Sequence, residues 1–169
     1  MKKLTGGFTL IELLIVIALL GALAVGLLAA LDPFEQLKKG TDTGTRNTVS
    51  ELQGAIIRYY AIKNEMPWGK TNIGPSEVLA GYSPLNIGGV ISTGELKSDF
   101  SAIADGQLSN ITIIGTSEGT TVCFKPLSRS FRSDLNTKYD SSSFSEFSAP
   151  ATSCGDPGTT AFHCEWCVK

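Results

Sequence analysis

The chain has 169 residues, of which 42% are hydrophobic and 18% are charged, and its formal net charge is −2. This is the composition of an ordinary folded protein of one-domain length. Without Lys2 and Lys3, 12 basic side chains remain against 16 acidic ones, and the basic residues form no dense cluster. The composition therefore argues against specific nucleic-acid binding, which needs clustered Lys and Arg to displace phosphate counterions.

The apolar residues are concentrated near the N-terminus. The block Phe8–Leu31 has 24 residues and a single charged side chain, Glu12. As an α-helix it would be roughly 36 Å long, which is sufficient to cross the hydrocarbon core of a bilayer. The leader that precedes it, residues 1–7, carries Lys2 and Lys3, which the positive-inside rule keeps in the cytoplasm. We therefore expect residues 8–31 to anchor the precursor in the cytoplasmic membrane and the C-terminus to lie outside.

Glu12 separates the interpretations of this apolar block. A secretory signal peptide, with small residues for cleavage at positions 22–24, and a plain single-pass anchor both explain the block but not the carboxylate near its start. An ionisable group placed in lipid costs about 2.5 to 3.5 kcal/mol unless it finds a partner. A buried helix of a soluble protein would normally show a polar face, and this block has none. We expect Glu12 to act in assembly or processing; the alternative is an incidental charge near the membrane interface.

The junction between leader and apolar block reads Gly-Gly-Phe-Thr-Leu-Ile-Glu at residues 6–12. It resembles the class III leader of type IV pilins and type II secretion pseudopilins. The resemblance implies that a prepilin peptidase cuts between Gly7 and Phe8 and methylates the new amine of Phe8. It also implies a homopolymer formed through the N-terminal helices, in which Glu12 meets the Phe8 amine of a neighbouring subunit. Phe8 and Glu12 are four residues apart, about 6 Å along a helix axis, so the two groups would lie near the same end of the anchor, and by geometry alone a pair could form within one chain or between two.

Residues 32–68 are expected to form an amphipathic helical spine. The Asp32-Pro33 pair predicts a kink or break at its start, because proline removes a helical hydrogen bond. Gly40 and Gly44 each weaken a helix by roughly 0.8 to 1 kcal/mol, so we expect a flexible or locally melted patch between Lys38 and Thr48. Beyond it, apolar side chains at steps of three and four predict one buried stripe, formed by Val49, Leu52, Ile56 and Tyr59. The stretch 46–68, with its Arg, its Tyr pair and its Met-Pro turn, also resembles the spine of pilins and major pseudopilins.

Residues 69–169 are expected to form a small β-rich globular domain. Runs of Ile, Thr and Val on both sides of a turn at 115–120 predict a β-hairpin, Ile111–Ile114 with Thr121–Phe124. A third strand is expected near Ser128–Ser133 and an exposed irregular segment over Ser133–Ser148. Two short helices are predicted, at Ser76–Ala80 and at Ser92–Phe100, each opened by a Ser-x-x-Glu pattern or a near-equivalent cap; Ser92 and Glu95 have the capping-box spacing. The predicted fold class is α+β: a long N-terminal helix, with a membrane half and an amphipathic half, packs on a small antiparallel sheet with an irregular disulfide-bonded C-terminal region.

The four cysteines fall in the part predicted to leave the cytoplasm, where an even number indicates two disulfides. They are Cys123, Cys154, Cys164 and Cys167. Three pairings are open, and we expect the C-terminal tail to be tied to the hairpin through Cys123. The spacing of Cys164 and Cys167 is also that of zinc ligands or of a redox pair, but export favours oxidation and no second close pair is present.

No catalytic constellation is visible in the sequence. The single histidine, His163, lies beside Cys164, and no phosphate-binding loop or nucleophile elbow occurs. Asp134 and Asp140 do not match a calcium-binding ladder, so we expect neither a cofactor nor a metal. The sequence thus predicts a non-enzymatic pilin whose partners are other copies, prepilin peptidase, an inner-membrane assembly platform and, before assembly, lipid. The alternatives are a major pseudopilin of a type II secretion system and, less in keeping with Glu12, a single-pass anchored binding domain.

Overall fold

The computed structural model describes residues 7–30, 32–77, 86–140, 145–146 and 164–169. The chain divides into two compact units, residues 1–36 and residues 37–169. The first unit contains helix α1, Leu10–Ala30, in which no residue is buried. Among the helices of the described residues, α1 is the one that is long and apolar enough to cross a membrane, with 21 residues and a mean hydropathy of 2.9 over an 18-residue window.

Helix α2, Pro33–Lys63, begins at the proline that was expected to interrupt the apolar run. The Asp32 carboxylate accepts hydrogen bonds from the backbone N–H groups of Phe34, at 3.1 Å, and Glu35, at 3.3 Å. Asp32 is thus the N-cap and Pro33 the first residue of the helix, where its missing N–H costs nothing. The predicted break at Asp32-Pro33 is confirmed.

Five short strands form one antiparallel sheet in the second unit. Their order across the sheet is β1-β2-β3-β5-β4. The strand bounds are β1 Ile73–Glu77, β2 Ile111–Gly115, β3 Thr120–Phe124, β4 Thr137–Asp140 and β5 Cys164–Val168. Strands β2 and β3 form the predicted hairpin, with Ile113 opposite Val122. Among the described residues, three short helices also belong to this unit: α3 Ile87–Ser92, α4 Phe100–Leu108 and α5 Arg129–Arg132. The predicted α+β class is confirmed.

One face of the sheet and the apolar stripe of α2 form the core. Val49, Leu52 and Ile56 are fully buried, and Tyr59 is partly buried against the same cluster. From the sheet, every second residue faces this cluster, including Val122, Phe124 and Trp166. The stripe predicted from the spacing of apolar residues is therefore the stripe that holds the globular part.

The expected melted patch between Lys38 and Thr48 is wrong, because α2 is helical throughout this stretch. Gly44 lies where α4 approaches closely: a Cβ there would come within 3.2 Å of the Gln107 amide nitrogen. In the next turn, the Thr48 hydroxyl donates to the Gln107 amide oxygen at 2.6 Å. The glycine that weakens an isolated helix therefore provides room for a tertiary contact that stabilises this one.

Buried Asp42 supplies a second tertiary tie in the same stretch. Its carboxylate accepts from the backbone N–H groups of Leu127, at 3.0 Å, and Ser128, at 2.7 Å, and from the Ser128 hydroxyl at 2.6 Å. Buried carboxylates are stable in proteins when donors satisfy their oxygens in this way. Contacts from residues more than 80 positions away thus hold α2 together where its own propensity is low.

Three local predictions in the globular domain were also wrong. Strand β1 lies where a helix at Ser76–Ala80 was expected, and residues 78–80 of that range are outside the described residues. The second predicted helix, Ser92–Phe100, is instead the link between α3 and α4, and Glu95 binds Arg58 at 2.6 Å rather than capping a helix. Ser128–Ser133, expected as a strand, contains α5, because the Ser128 hydroxyl accepts from the Phe131 N–H and caps a helical turn.

The expected irregular segment Ser133–Ser148 contains strand β4. Residues 141–144 and 147–148 of this range lie outside the described residues. Asp134, one of the two weak calcium candidates, accepts hydrogen bonds from the Asn136 N–H at 2.8 Å and from the Trp166 indole N–H at 3.2 Å. It therefore acts as a turn residue that anchors β5.

Candidate processing and assembly site

Gly7 and Phe8 precede the first turn of α1 and are not helical. The Phe8 side chain is 90% exposed, and a Cβ on Gly7 would meet no heavy atom of the described residues within 4 Å. The described residues therefore leave the peptide bond between Gly7 and Phe8 uncovered, as binding of this segment by a protease would require.

Thr9 and Glu12 close the N-terminus of α1 with reciprocal hydrogen bonds. The Glu12 Oε2 atom accepts from the Thr9 backbone N–H at 2.9 Å and from the Thr9 hydroxyl at 2.7 Å. In return, the Glu12 N–H donates to the Thr9 hydroxyl oxygen at 3.3 Å. This is a capping box, in which an N-cap residue and the third helical residue satisfy each other's free N–H groups.

The capping box determines where the Glu12 carboxylate lies. It is folded back to the backbone N–H of Thr9, one residue after the Phe8 nitrogen, rather than extended from the side of the helix. Within the described residues both bonds to the carboxylate involve Oε2, which leaves Oε1 to accept from a cation. The structure thus places a carboxylate oxygen at the end of α1 where cleavage at Gly7-Phe8 would create a new amine.

Thr9 is the residue of this site that sequence reasoning missed. It entered the sequence comparison only as part of the leader motif, with no role of its own. The signal was present, since Thr-x-x-Glu before an apolar run is the sequence pattern of a capping box. The same pattern at Ser92 and a near-equivalent one at Ser76 led to wrong helices, so this signal is informative only beside a long apolar helix.

A comparison with protein families supports the same reading of the N-terminus. Residues 2–28 match the prokaryotic N-terminal methylation motif. The match supports a type IV pilin-like family for this N-terminal segment. The motif implies processing by prepilin peptidase and pilus-type assembly, and with α1 it fits a membrane-anchored precursor. No curated protein and no solved structure gives a significant match to the chain.

The cysteines are oxidised where the structure describes them. A disulfide joins Cys123 of β3 to Cys167 of β5, which lie directly opposite in the sheet. This is the link between hairpin and tail that the sequence led us to expect. Cys164 is also disulfide-bonded, whereas Cys154 and His163 lie outside the described residues. Because Cys164 and Cys167 are both oxidised, their spacing provides no thiolates for zinc or for a dithiol redox site.

One group of potential metal ligands occurs among the described residues, formed by Cys123, Glu165 and Cys167. Two of its three ligand atoms are the sulfurs of the disulfide, so in this oxidised state the group offers a metal only the carboxylate.

The second unit also contains a groove of about 530 Å³ between α2, the β2–β3 hairpin and the C-terminus. Its walls are mainly apolar, formed by Ile57, Tyr60, Met66 and Ile114. Among the described residues that line it, Glu118 and Lys169 are the charged ones, and none is a histidine or a cysteine. The lining that the structure describes is thus mainly apolar.

Proposed function

We propose that this pilin-like chain is a structural, non-enzymatic subunit of a type IV pilus-like filament, cut between Gly7 and Phe8 and polymerised through α1. The observation that carries the proposal is the complete exposure of an apolar helix. Every large apolar side chain of α1 is at least 50% exposed, and burying such a side chain is worth about 1.5 to 3 kcal/mol. Water is therefore excluded as the final environment of α1, and cover must come from lipid or from other helices.

Glu12 supports helices rather than lipid as the final cover. A carboxylate in the hydrocarbon region costs about 2.5 to 3.5 kcal/mol when it has no partner. The amine that cleavage creates at Phe8 also needs a counter-charge. In a homopolymer these groups neutralise each other between subunits, and the pair fixes how far one α1 is displaced along the next. In a single-pass anchored domain the Glu12 carboxylate would also be placed near lipid, but no amine of a neighbouring subunit would neutralise it.

The proposed route begins with a precursor held in the cytoplasmic membrane by α1, with the C-terminal body outside. Prepilin peptidase removes residues 1–7 and methylates Phe8. An inner-membrane platform, driven by a cytoplasmic ATPase, then transfers each subunit from lipid into the growing filament. A major pseudopilin would follow the same steps but form a short periplasmic filament for type II secretion, because both share the N-terminal motif that supports the proposal.

The test changes one charge in α1 and the same charge outside it. Glu12→Gln should leave cleavage and membrane insertion intact and should lower filament yield at least tenfold, because the pair that sets the register is lost. Glu35→Gln is the matched control, since Glu35 is an acidic residue in the first turn of α2 rather than in the apolar block. We expect this variant to assemble like the parent.

Three readouts separate the outcomes. Mass spectrometry of the N-terminus measures cleavage and methylation, electron microscopy measures filaments, and cell fractionation locates them. Glu12→Gln filaments at parental yield would disprove the charge pairing, and an uncut precursor in cells with active prepilin peptidase would disprove the processing site. Surface filaments lost on deletion of the gene select a pilus, and periplasmic filaments select a pseudopilus. Processed protein that never polymerises would select the anchored domain.

A further inference from the structure

A buried carboxyl group lies beside the disulfide that links the hairpin to the C-terminal strand. Glu165, on β5, is only 7% exposed. Its Oε2 atom is buried and has no hydrogen-bond partner in the part of the chain that the structure describes. Burying a polar group without a partner is costly, so the position of Glu165 is not explained by stability.

The sheet register brings Glu165 and both cysteines to one face. Cys123 lies opposite Cys167, and Glu165 precedes Cys167 by two residues on the same strand. Because side chains alternate along a strand, Glu165 and Cys167 share a face. That face is opposite to the one on which Trp166 packs with the stripe of α2. A Glu165 carboxylate oxygen and the two sulfurs all lie within 4.8 Å of one another.

The charged groups around Glu165 come from the flanking strands. Lys125 follows β3 and stabilises the carboxylate, whereas Asp140 of β4 repels it. Tyr139, which lies opposite Glu165 in the sheet, donates its hydroxyl to Glu146 at 2.8 Å. Glu146 is also bound by the ammonium group of Lys169 at 3.0 Å. These neighbours leave Glu165 beside the sulfurs without an ion pair of its own among the described contacts.

We propose that Glu165 is the proton acceptor that promotes closure of the Cys123–Cys167 disulfide during oxidative folding. The starting state is a mixed disulfide between Cys167 and a thiol oxidant, such as glutathione, with Cys123 reduced. The carboxylate takes the Cys123 thiol proton, and the thiolate attacks the Cys167 sulfur. The new S–S bond forms as the bond to glutathione breaks. Glutathione leaves with the electron pair and is protonated by Glu165, so the carboxylate is regenerated.

The acid strength of Glu165 suits this role. Burial, the largest effect, raises the pKa of Glu165 to about 7, whereas a free cysteine thiol has a pKa of about 8.5. A general base is most effective when its pKa lies near the working pH, and typically contributes about 10²- to 10⁴-fold. Near neutral pH a large fraction of Glu165 is ionised while an unassisted thiol is mostly protonated. The proposal concerns folding of the exported body and does not depend on filament assembly.

The experiment follows disulfide closure in the full chain held in detergent micelles. The protein is reduced with dithiothreitol, freed of reductant and mixed with glutathione disulfide. Samples are quenched with acid and alkylated, and mass spectrometry of peptides measures the Cys123–Cys167 link separately from the other cysteines. Glu165→Gln should close this link at least tenfold more slowly at pH 7.5. The difference should shrink at pH 5, where the carboxyl is protonated, and above pH 9, where the thiol ionises unaided.

Controls distinguish proton transfer from a structural effect. Glu165→Gln removes a buried charge and stabilises the fold near neutral pH, so a merely structural glutamate would give equal or faster closure in the variant. Glu165→Asp keeps the carboxylate and should restore part of the rate, whereas Glu146→Gln should leave it unchanged. If a reduced variant fails to refold, the reverse reaction serves: dithiothreitol should reduce the oxidised Glu165→Gln protein more slowly, after correction for its greater stability. Parental rates in both directions, or a Glu165→Asp variant as slow as Glu165→Gln, would overturn the proposal.

Discussion

Replacing Glu165 with Gln should remove one source of pH dependence from the free energy of unfolding of the body between pH 4.5 and pH 8. The pKa of this carboxyl rises from an ordinary value of 4.5 to about 7, chiefly because burial disfavours the charged form. Each pKa unit corresponds to 1.36 kcal/mol, so the shift amounts to about 3 kcal/mol. The folded state favours the protonated acid. Glu165 therefore lowers the free energy of unfolding only at pH values at which its carboxyl group is ionised in the unfolded chain.

The direction of the pKa shift determines the pH range over which the stability changes. Below pH 4.5 Glu165 is protonated in both states and imposes no cost. As the pH rises from 4.5 to about 7, the unfolded chain loses this proton first, so the parent loses stability. Above about 7 the folded state is ionised too, and the full cost is present. The Gln variant has no such titration, so the stability difference between variant and parent should grow by about 3 kcal/mol across this window.

Urea unfolding at a series of pH values measures this difference, with fluorescence of Trp68 and Trp166 as the signal and the disulfides left oxidised. Glu146 is bound by Tyr139, Lys169 and Lys138, which lower its pKa to about 2. Its contribution is lost only as the pH falls from 4.5 towards 2, and it is the same in both proteins. Parallel stability curves for parent and variant between pH 4.5 and pH 8 would refute the assignment of Glu165 as a buried acid.

Three further predictions concern the body. Asp42→Ala should cost about 3 kcal/mol in urea unfolding, because it leaves two backbone N–H groups and a hydroxyl without their acceptor; a loss below about 1 kcal/mol would contradict this. Gly115→Ala should destabilise by about 1 to 3 kcal/mol or more, since its Cβ would lie 2.3 Å from a tryptophan ring carbon. Gly106→Ala, in open space on a helix, should instead gain about 0.5 to 1 kcal/mol, and equal effects would refute the clash. Replacing Cys123 and Cys167 with Ser should lower the stability by about 4 kcal/mol for a 44-residue separation, and an unchanged urea midpoint would show that this link does not restrict the unfolded chain.

The parts of the fold that sequence could predict are those whose information is local. Glycine, an aromatic residue and a glutamate at fixed spacing identify the leader junction, and the apolar block defines α1. Strands β2 and β3 were found because Ile and Val runs flank an adjacent turn, so pairing needs no distant partner. The stripe of α2 was found because helical spacing alone places its members on one face.

The parts that sequence missed depend on distant contacts. Strand β5 pairs with β3, and the two cysteines that face each other there are 44 residues apart. Strand β1 pairs with β2, as in the match of Ile73 with Gly115. The residues of β1 and β5 do not by themselves predict strands. Their extended conformation depends on hydrogen bonds with neighbouring strands of the sheet. The helix through Gly40 and Gly44 is the same case, because Asp42 binds a loop far along the chain.

At the N-terminal site the sequence prediction missed a local feature. The sequence predicts Gly7, Phe8 and Glu12 as processing and assembly residues but gives Thr9 no role, whereas in the structure Thr9 caps α1. With both hydrogen bonds to Oε2 coming from Thr9, the carboxylate is already oriented within one chain. Among the described residues, the amine of the proposed pair has no donor to displace from Oε1, and the hydrogen bonds to Thr9 reduce the conformational entropy that the Glu12 side chain would lose on pairing.

The apolar residues of the two units differ in burial, so we expect mutations in the two units to have different effects. No residue of α1 is buried; under the proposed function its cover comes from lipid or from other copies, and Glu12 is the charged side chain that specifies the register. The body buries its apolar residues within the chain and closes its sheet with a covalent link between β3 and β5. Changes at Glu12 should therefore alter assembly without altering the stability of the body. Changes at Asp42, Gly115 or Glu165 should alter stability while leaving cleavage at Gly7-Phe8 unchanged.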